Sequence, residues 1–264
     1  MKRPRIEIAG DRHMETLANC DGYYECPRSD GTGERLGPLV GYAGTYEGPD
    51  GKPLQYVGEI YANFAKAEPY PHVLKFFAGG LVYRLFDRLD YTGKDEIVFC
   101  GAPIGGYSLA DAMAFHLDLD LKVIKAEKMV TAVKTATSRE MSDVVFSRHV
   151  IEPGQSYVIV EDVCNNFSTT AKLIKLIMSY GGKVVAIVCF LNRSLTVDNE
   201  YCLSLEGQDN VLRLPVVSLV RQPIQEWRQD DPAVTDDIAR KNVVWKPKDK
   251  DEWARLKKAM HGVS

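Results

Sequence analysis

Residues Tyr157–Thr170 read YVIVEDVCNNFSTT. An apolar run ends in two adjacent carboxylates, Glu161 and Asp162. A short loop of small polar residues follows, and a helix is expected from about Ser168 to Tyr180, stopped by Gly181-Gly182. In an open α/β sheet, ligands bind outside the carboxyl ends of the strands. A helix that begins there offers unpaired N–H groups and the positive end of its dipole, which suit a phosphate. Asn165, Asn166, Ser168, Thr169 and Thr170 add side-chain donors. Capping of the helix by Asp162 and the hydroxyl residues would account for the polar loop alone. Two carboxylates directly after four apolar residues shift the balance toward a ligand with both a phosphate and hydroxyls, such as a phosphorylated sugar.

The pattern on either side fits a parallel sheet. Glu96–Cys100, Leu121–Lys125, Val144–Val150, Ser156–Glu161, Val184–Leu191 and Val211–Val220 read as strands. Gly105-Gly106 opens a helix running to His116, and Pro71–Leu89 carries apolar residues at helical spacing, with Pro71 in the first turn. Alternating strands and helices predict an α/β fold with a mainly parallel sheet flanked by helices. Upstream, Leu39–Tyr46 and Gln55–Ala62 read as a hairpin around the turn signal EGPDGKP, and the first 35 residues read as loop. Val130–Asp143 is rich in Ser and Thr and reads as a mobile loop, with a short helix as the alternative. Three segments are expected: residues 1–90 with the long helix, a core at 91–228, and a charged C-terminal arm at 229–264 that reads as a helix or arm on the surface or on a partner.

Composition narrows the function classes. The 264 residues are 45% hydrophobic and 26% charged, enough to bury a sizeable core. Thirty-three basic against 36 acidic residues leave a net charge of -3, so a nucleic-acid partner is not expected. The most apolar stretch, VVAIVCFL at Val184–Leu191, is far shorter than the roughly 20 residues of a membrane span. The basic N-terminus lacks an apolar secretory core, and six cysteines without a CxxC pair read as free thiols. A cytoplasmic location follows as the expectation. No GxGxxG follows a strand and no GxSxG occurs, which argues against a dinucleotide enzyme and a nucleophile-elbow hydrolase.

YVIVEDVCNNFSTT resembles the phosphoribosyl-pyrophosphate motif of the type I phosphoribosyltransferases. Three more segments stand in the family's order. VFCGAPIGGYSLADAMA (Val98–Ala114) resembles the first strand, the pyrophosphate loop and its helix. VIKAEK (Val123–Lys128) resembles the next strand and the start of the catalytic loop. VVAIVCFLNRS (Val184–Ser194) resembles the strand after the phosphate-loop helix. DGKPLQYVGEIY followed by YPHVLKFFAGGLVYRL is similar to the hood and long helix of orotate phosphoribosyltransferases, so residues 1–90 would form an N-terminal extension and hood. The resemblance covers roughly residues 36 to 222.

What the resemblance implies is transfer of ribose 5-phosphate from phosphoribosyl pyrophosphate to a nitrogenous base, orotate or a related one, with Mg2+ and release of pyrophosphate. Glu161 and Asp162 would grip the ribose hydroxyls and the metal. Asn165, Asn166, Phe167, Ser168, Thr169 and Thr170 would cradle the 5-phosphate. Ala102, Pro103, Ile104, Gly105 and Gly106 would hold the pyrophosphate, in a loop that often carries a cis peptide in this family. Lys125 and Lys128 are the candidates for neutralising it, with solvated surface as the competing reading, and Val130–Asp143 would close as a lid. Tyr56 and Arg193 would meet the base, and a homodimer is expected.

Departures from the family pattern are equally specific. Phe167 stands where members have a glycine. Lys134 and Arg139 are the only cations within Val130–Asp143, and Pro49 precedes Asp50-Gly51 where orotate enzymes have a lysine. The base-site departure points to a base other than orotate, while Phe167 and the thin set of cations favour a second expectation, a non-catalytic protein of the same fold that binds phosphoribosyl pyrophosphate or a nucleotide as an effector.

Overall fold

The computed structural model describes residues 6–89, 96–117, 121–132, 141–204 and 211–262. The chain forms two compact units, one from Met1–Asn19 and Phe64–Pro223, the other from Cys20–Asn63 and Ile224–Ser264. The division differs from the boundaries expected at 90 and 228, because the C-terminal segment joins the early strands rather than standing alone.

The larger unit is built on a six-stranded sheet. From one edge its strands run Glu200–Ser204, Val211–Arg221, Lys183–Asn192, Ser156–Cys164, Ile97–Gly101 and Val123–Lys125. Five are mutually parallel, and only Glu200–Ser204 runs antiparallel, against Val211–Arg221. Strands buried on both faces have to be apolar along nearly their whole length. Every residue of Ile97–Gly101 is buried. In Lys183–Asn192, Lys183 is exposed and Val185 partly exposed, while Val184 and the whole run from Ala186 to Asn192 are buried.

Three helices pack around this sheet. Pro71–Leu89 buries Val73, Leu74, Phe77, Ala78, Leu81, Val82 and Leu85, the stripe its spacing predicts. Gly106–Leu117 follows Ile97–Gly101, and Ser168–Ser179 follows the acid pair. The expected loop at Val130–Asp143 begins and ends as strand: Glu127–Ala132 pairs antiparallel with Met141–Val145. That pairing also ends the expected strand Val144–Val150 at Val145. Residues 133–140, with Lys134 and Arg139, lie outside the described residues. No described helix is long and apolar enough to cross a membrane.

In the smaller unit, Leu39–Glu47 pairs antiparallel with Pro53–Gly58, as the turn signal predicts. Ile60–Ala62 leaves that hairpin to pair with Tyr23–Glu25, a strand within the stretch expected to be loop. His13–Asn19, in the larger unit, is a short helix in the same stretch. Of the two readings of the C-terminal segment the helix is found: Lys250–Met260 is a helix capped by the Asp249 carboxylate, and before it Val243–Val244 pairs parallel with Leu39–Val40. Its Trp253 and Leu256 are buried with Tyr24, Cys26, Val40 and Val244.

Candidate functional site

Strand order locates the site. The chain enters the parallel sheet at Ile97–Gly101, steps outward to Val123–Lys125, then returns to Ser156–Cys164 on the other side and continues outward. The direction of winding reverses between Ile97–Gly101 and Ser156–Cys164. At such a switch point the two following loops diverge and leave a crevice at the carboxyl ends of the strands. Here those loops are residues 102–106 and the acid pair with Asn165–Ser168.

The two loops are fitted to each other. The Ala102 N–H donates to the Val160 carbonyl at 2.8 Å, and the Gly106 N–H returns to the Ala102 carbonyl at 3.1 Å. A Cβ at Gly105 would overlap the Asp162 carboxylate, and one at Gly106 would overlap the Val160 carbonyl oxygen. Gly106 therefore needs glycine for want of space, whereas a side chain at Gly105 would have to displace the Asp162 carboxylate. The Pro103-Ile104 peptide bond is cis, and the Ile104 side chain is exposed.

Glu161 and Asp162 differ in environment. Glu161 is only 8% exposed, whereas Asp162 is half-buried. Burial, then the neighbouring Asp162 charge, raises the Glu161 carboxyl well above the ordinary range. A cation close to the pair would relieve that repulsion. Among the described residues no group of three or more metal-ligating side chains occurs. Two carboxylates still suit Mg2+, which commonly takes one or two of them together with substrate phosphates and water.

Phe167 takes the left-handed conformation, φ 56° and ψ 18°, at the N-cap of Ser168–Ser179. This backbone region favours glycine, and a side chain there costs roughly 1–2 kcal/mol. The ring is turned into the core. It is 3% exposed and stacks on Tyr201, with ring centroids 5.1 Å apart and 14° between planes. Burying a phenylalanine contributes about 1.5–3 kcal/mol and an aromatic pair about 0.5–1.5 more, so packing offsets the backbone cost. The expected phosphate contact at Phe167 can therefore come from its backbone and not from its ring. In the first turn, the Ser168 N–H donates to Asn166 Oδ1 at 3.1 Å and the Ala171 N–H to the Phe167 carbonyl at 2.8 Å. Thr170 is buried, and Thr169 is half-buried.

The other expected residues fall in different places. Lys125 ends its strand opposite Gly101, but its ammonium is 2.7 Å from Asp111 Oδ2, on the helix Gly106–Leu117. It also lies 5.8 Å from the centre of the Tyr107 ring. Lys128 is exposed on Glu127–Ala132. The Arg193 N–H donates to the Cys164 carbonyl at 2.8 Å, which ties it to the acid loop. Tyr56 belongs to the smaller unit, where its ring lies 4.9 Å from that of Tyr46. Sequence reasoning missed Asp111 and Tyr201. Asp111 stands one helical turn from Tyr107, a spacing that flagged nothing, and Tyr201 lies on an edge strand with no apolar run to announce it.

A family model described as a phosphoribosyl transferase domain matches residues 78–216. The chain is similar to the transcriptional regulator GfcR of Methanocella arvoryzae, 28% identical over 141 residues, covering 53% of this chain and 60% of that one. It is also similar to the orotate phosphoribosyltransferase of Methanococcus maripaludis, 23% identical over 161 residues, covering 61% and 77%. The match to GfcR thus spans about three fifths of that regulator's length. Among solved structures, the orotate phosphoribosyltransferase of Aeropyrum pernix matches with a TM-score of 0.40 and 16% identity, covering 67% of this chain and 85% of that one.

Proposed function

The chain belongs to the phosphoribosyl transferase domain family, and from that premise we propose that it transfers ribose 5-phosphate from phosphoribosyl pyrophosphate to a nitrogenous base, orotate or a related one. The observation that carries this reading is the apposition of Gly105 and the Asp162 carboxylate at the switch point. It brings a glycine loop suited to a diphosphate beside a carboxylate suited to ribose hydroxyls.

In this reading Glu161 and Asp162 hold the ribose hydroxyls, and the first turn of Ser168–Ser179 holds the 5-phosphate by its N–H groups. Residues 102–106 hold the diphosphate through the backbone. Departure of the diphosphate leaves positive charge on the ribose ring, and the carboxylates stand where they stabilise it. Mg2+ held by Glu161 and Asp162 with the substrate phosphates would offset the charge of the leaving group. Lys128 adds a cation, and Arg193 meets the base. We further propose a homodimer and a cytoplasmic location. All six cysteines are free, which suits a reducing compartment.

One observation favours the non-catalytic reading. Lys125 is engaged by Asp111, which reduces the cation available to a leaving diphosphate. A relative named as a transcriptional regulator points the same way. Pyrophosphate release separates the two. The purified protein is supplied with phosphoribosyl pyrophosphate, Mg2+ and, in turn, orotate, uracil, nicotinamide and purines. Release with one base, falling sharply in Asp162→Asn, is the expected result. Binding of the donor without release for any base would overturn transfer and leave effector binding.

A further inference from the structure

We propose that the Phe167–Tyr201 stack is a positioning device, through which the antiparallel edge strand Glu200–Ser204 holds the phosphate loop in its binding shape. The role in binding rests on the ligand reading above. The role in holding the loop rests on geometry alone.

Phe167 joins the acid loop to the helix Ser168–Ser179, and its φ of 56° sets the direction in which the helix leaves. Glycine could take this conformation without support. Phenylalanine needs its side chain held elsewhere. The ring is 3% exposed, inside the cluster that includes Cys164, Leu173, Leu214 and Val216. Its stacked partner, Tyr201, pairs across the sheet edge with Leu214. Leu203 stands two residues along on the same face of that strand and packs against the same cluster. The carbonyl of Phe167 accepts from the Ala171 N–H, so any change at Phe167 reaches the first helical hydrogen bond. A left-handed residue that is not glycine thus couples the phosphate loop to a strand outside the ligand loops.

The test compares Tyr201→Ala with Leu203→Ala, which removes apolar contact from the same strand face without removing the stack. Tyr201→Phe, which keeps the ring, is the conservative variant. Hydrogen exchange at the Ser168 and Ala171 amides is measured in the ligand-free proteins, and binding of Mg2+-phosphoribosyl pyrophosphate by calorimetry. Tyr201→Ala is expected to speed exchange at both amides at least tenfold and to weaken binding about tenfold. Leu203→Ala, compared at matched distance from its Tm, should leave both within about twofold, and Tyr201→Phe should restore both. Equal effects of Tyr201→Ala and Leu203→Ala, or unchanged exchange in Tyr201→Ala, would overturn the proposal. Wild-type protein that binds no donor would refute the ligand reading and, with it, the binding role. The exchange comparison would still decide whether the stack holds the loop.

Discussion

Gly105→Ala and Gly106→Ala add the same methyl group to adjacent residues, yet the structure predicts different outcomes. At Gly105 the new Cβ meets the end of the Asp162 side chain, and at Gly106 it meets the Val160 carbonyl in the middle of the sheet. A side chain can rotate away, whereas a sheet backbone cannot without breaking ladder hydrogen bonds on both sides. Overpacking costs about 1–3 kcal/mol, and the Gly106 variant should stand near the upper end. For a unit of this size, with roughly 2–4 °C lost per kcal/mol, its Tm should fall by about 5–10 °C. Gly105→Ala should lose less than about 3 °C but displace the Asp162 carboxylate. A hydrogen bond to a charged group contributes about 1.5–3 kcal/mol, so donor affinity should weaken roughly 10- to 150-fold. Calorimetric unfolding and donor titration of both variants make the assay. Donor affinity within twofold of wild type in Gly105→Ala, or equal Tm losses in the two, would refute the reasoning.

Three further outcomes are expected. Asp111→Asn should release Lys125 and strengthen donor binding several-fold, with Tm changed by no more than about 2 °C because the pair is over a third exposed; titration and a melting curve check both. Arg35 bridges Glu59 at 2.7 Å and Asp237 at 3.0 Å with all three side chains below 20% exposed. Arg35→Ala should therefore destabilise the smaller unit by about 2–4 kcal/mol in urea unfolding, and Arg35→Lys should recover only part, since lysine lacks the fork. Burial, then the Arg84 charge, lowers the His13 pKa below 6.5, so the unfolded chain takes up the proton first as pH falls. The contribution of His13 is whole above pH 6.5 and is lost as pH falls from there toward its folded pKa. The drop in Tm between about pH 7.5 and pH 5 should be smaller in His13→Gln.

The central elements were legible because burial on both faces leaves a mark in the sequence. Ile97–Gly101, Ser156–Cys164 and Lys183–Asn192 are largely apolar runs, and Pro71–Leu89 repeats at the helical period. The edge strand Glu200–Ser204 alternates half-buried and exposed residues over only five positions, too short a pattern to stand out. The packing of the C-terminal segment was hidden for a different reason. Val243–Val244 is two residues long, and its partner Leu39–Val40 lies about 200 residues earlier, so no local window contains the pairing. Charge along Lys250–Met260 reads as a surface helix or arm, and the sequence does not show that Trp253 and Leu256 are buried with Tyr24 and Val40.

The site divides along the same line. The acid pair and the glycines were visible because the chemistry is local: two carboxylates at a strand end, two glycines at a helix start. Lys125 looked available because its partner Asp111 is 14 residues away and reaches it only when strand and helix pack. Phe167 is the sharpest case. From sequence it is an aromatic residue where a glycine belongs, which suggests a cradle lost or reshaped. In the fold it takes a left-handed φ that favours glycine, and packing against Tyr201 and the surrounding cluster offsets what that conformation costs. The departure at position 167 puts a ring into the core, so the aromatic residue is not by itself evidence against binding.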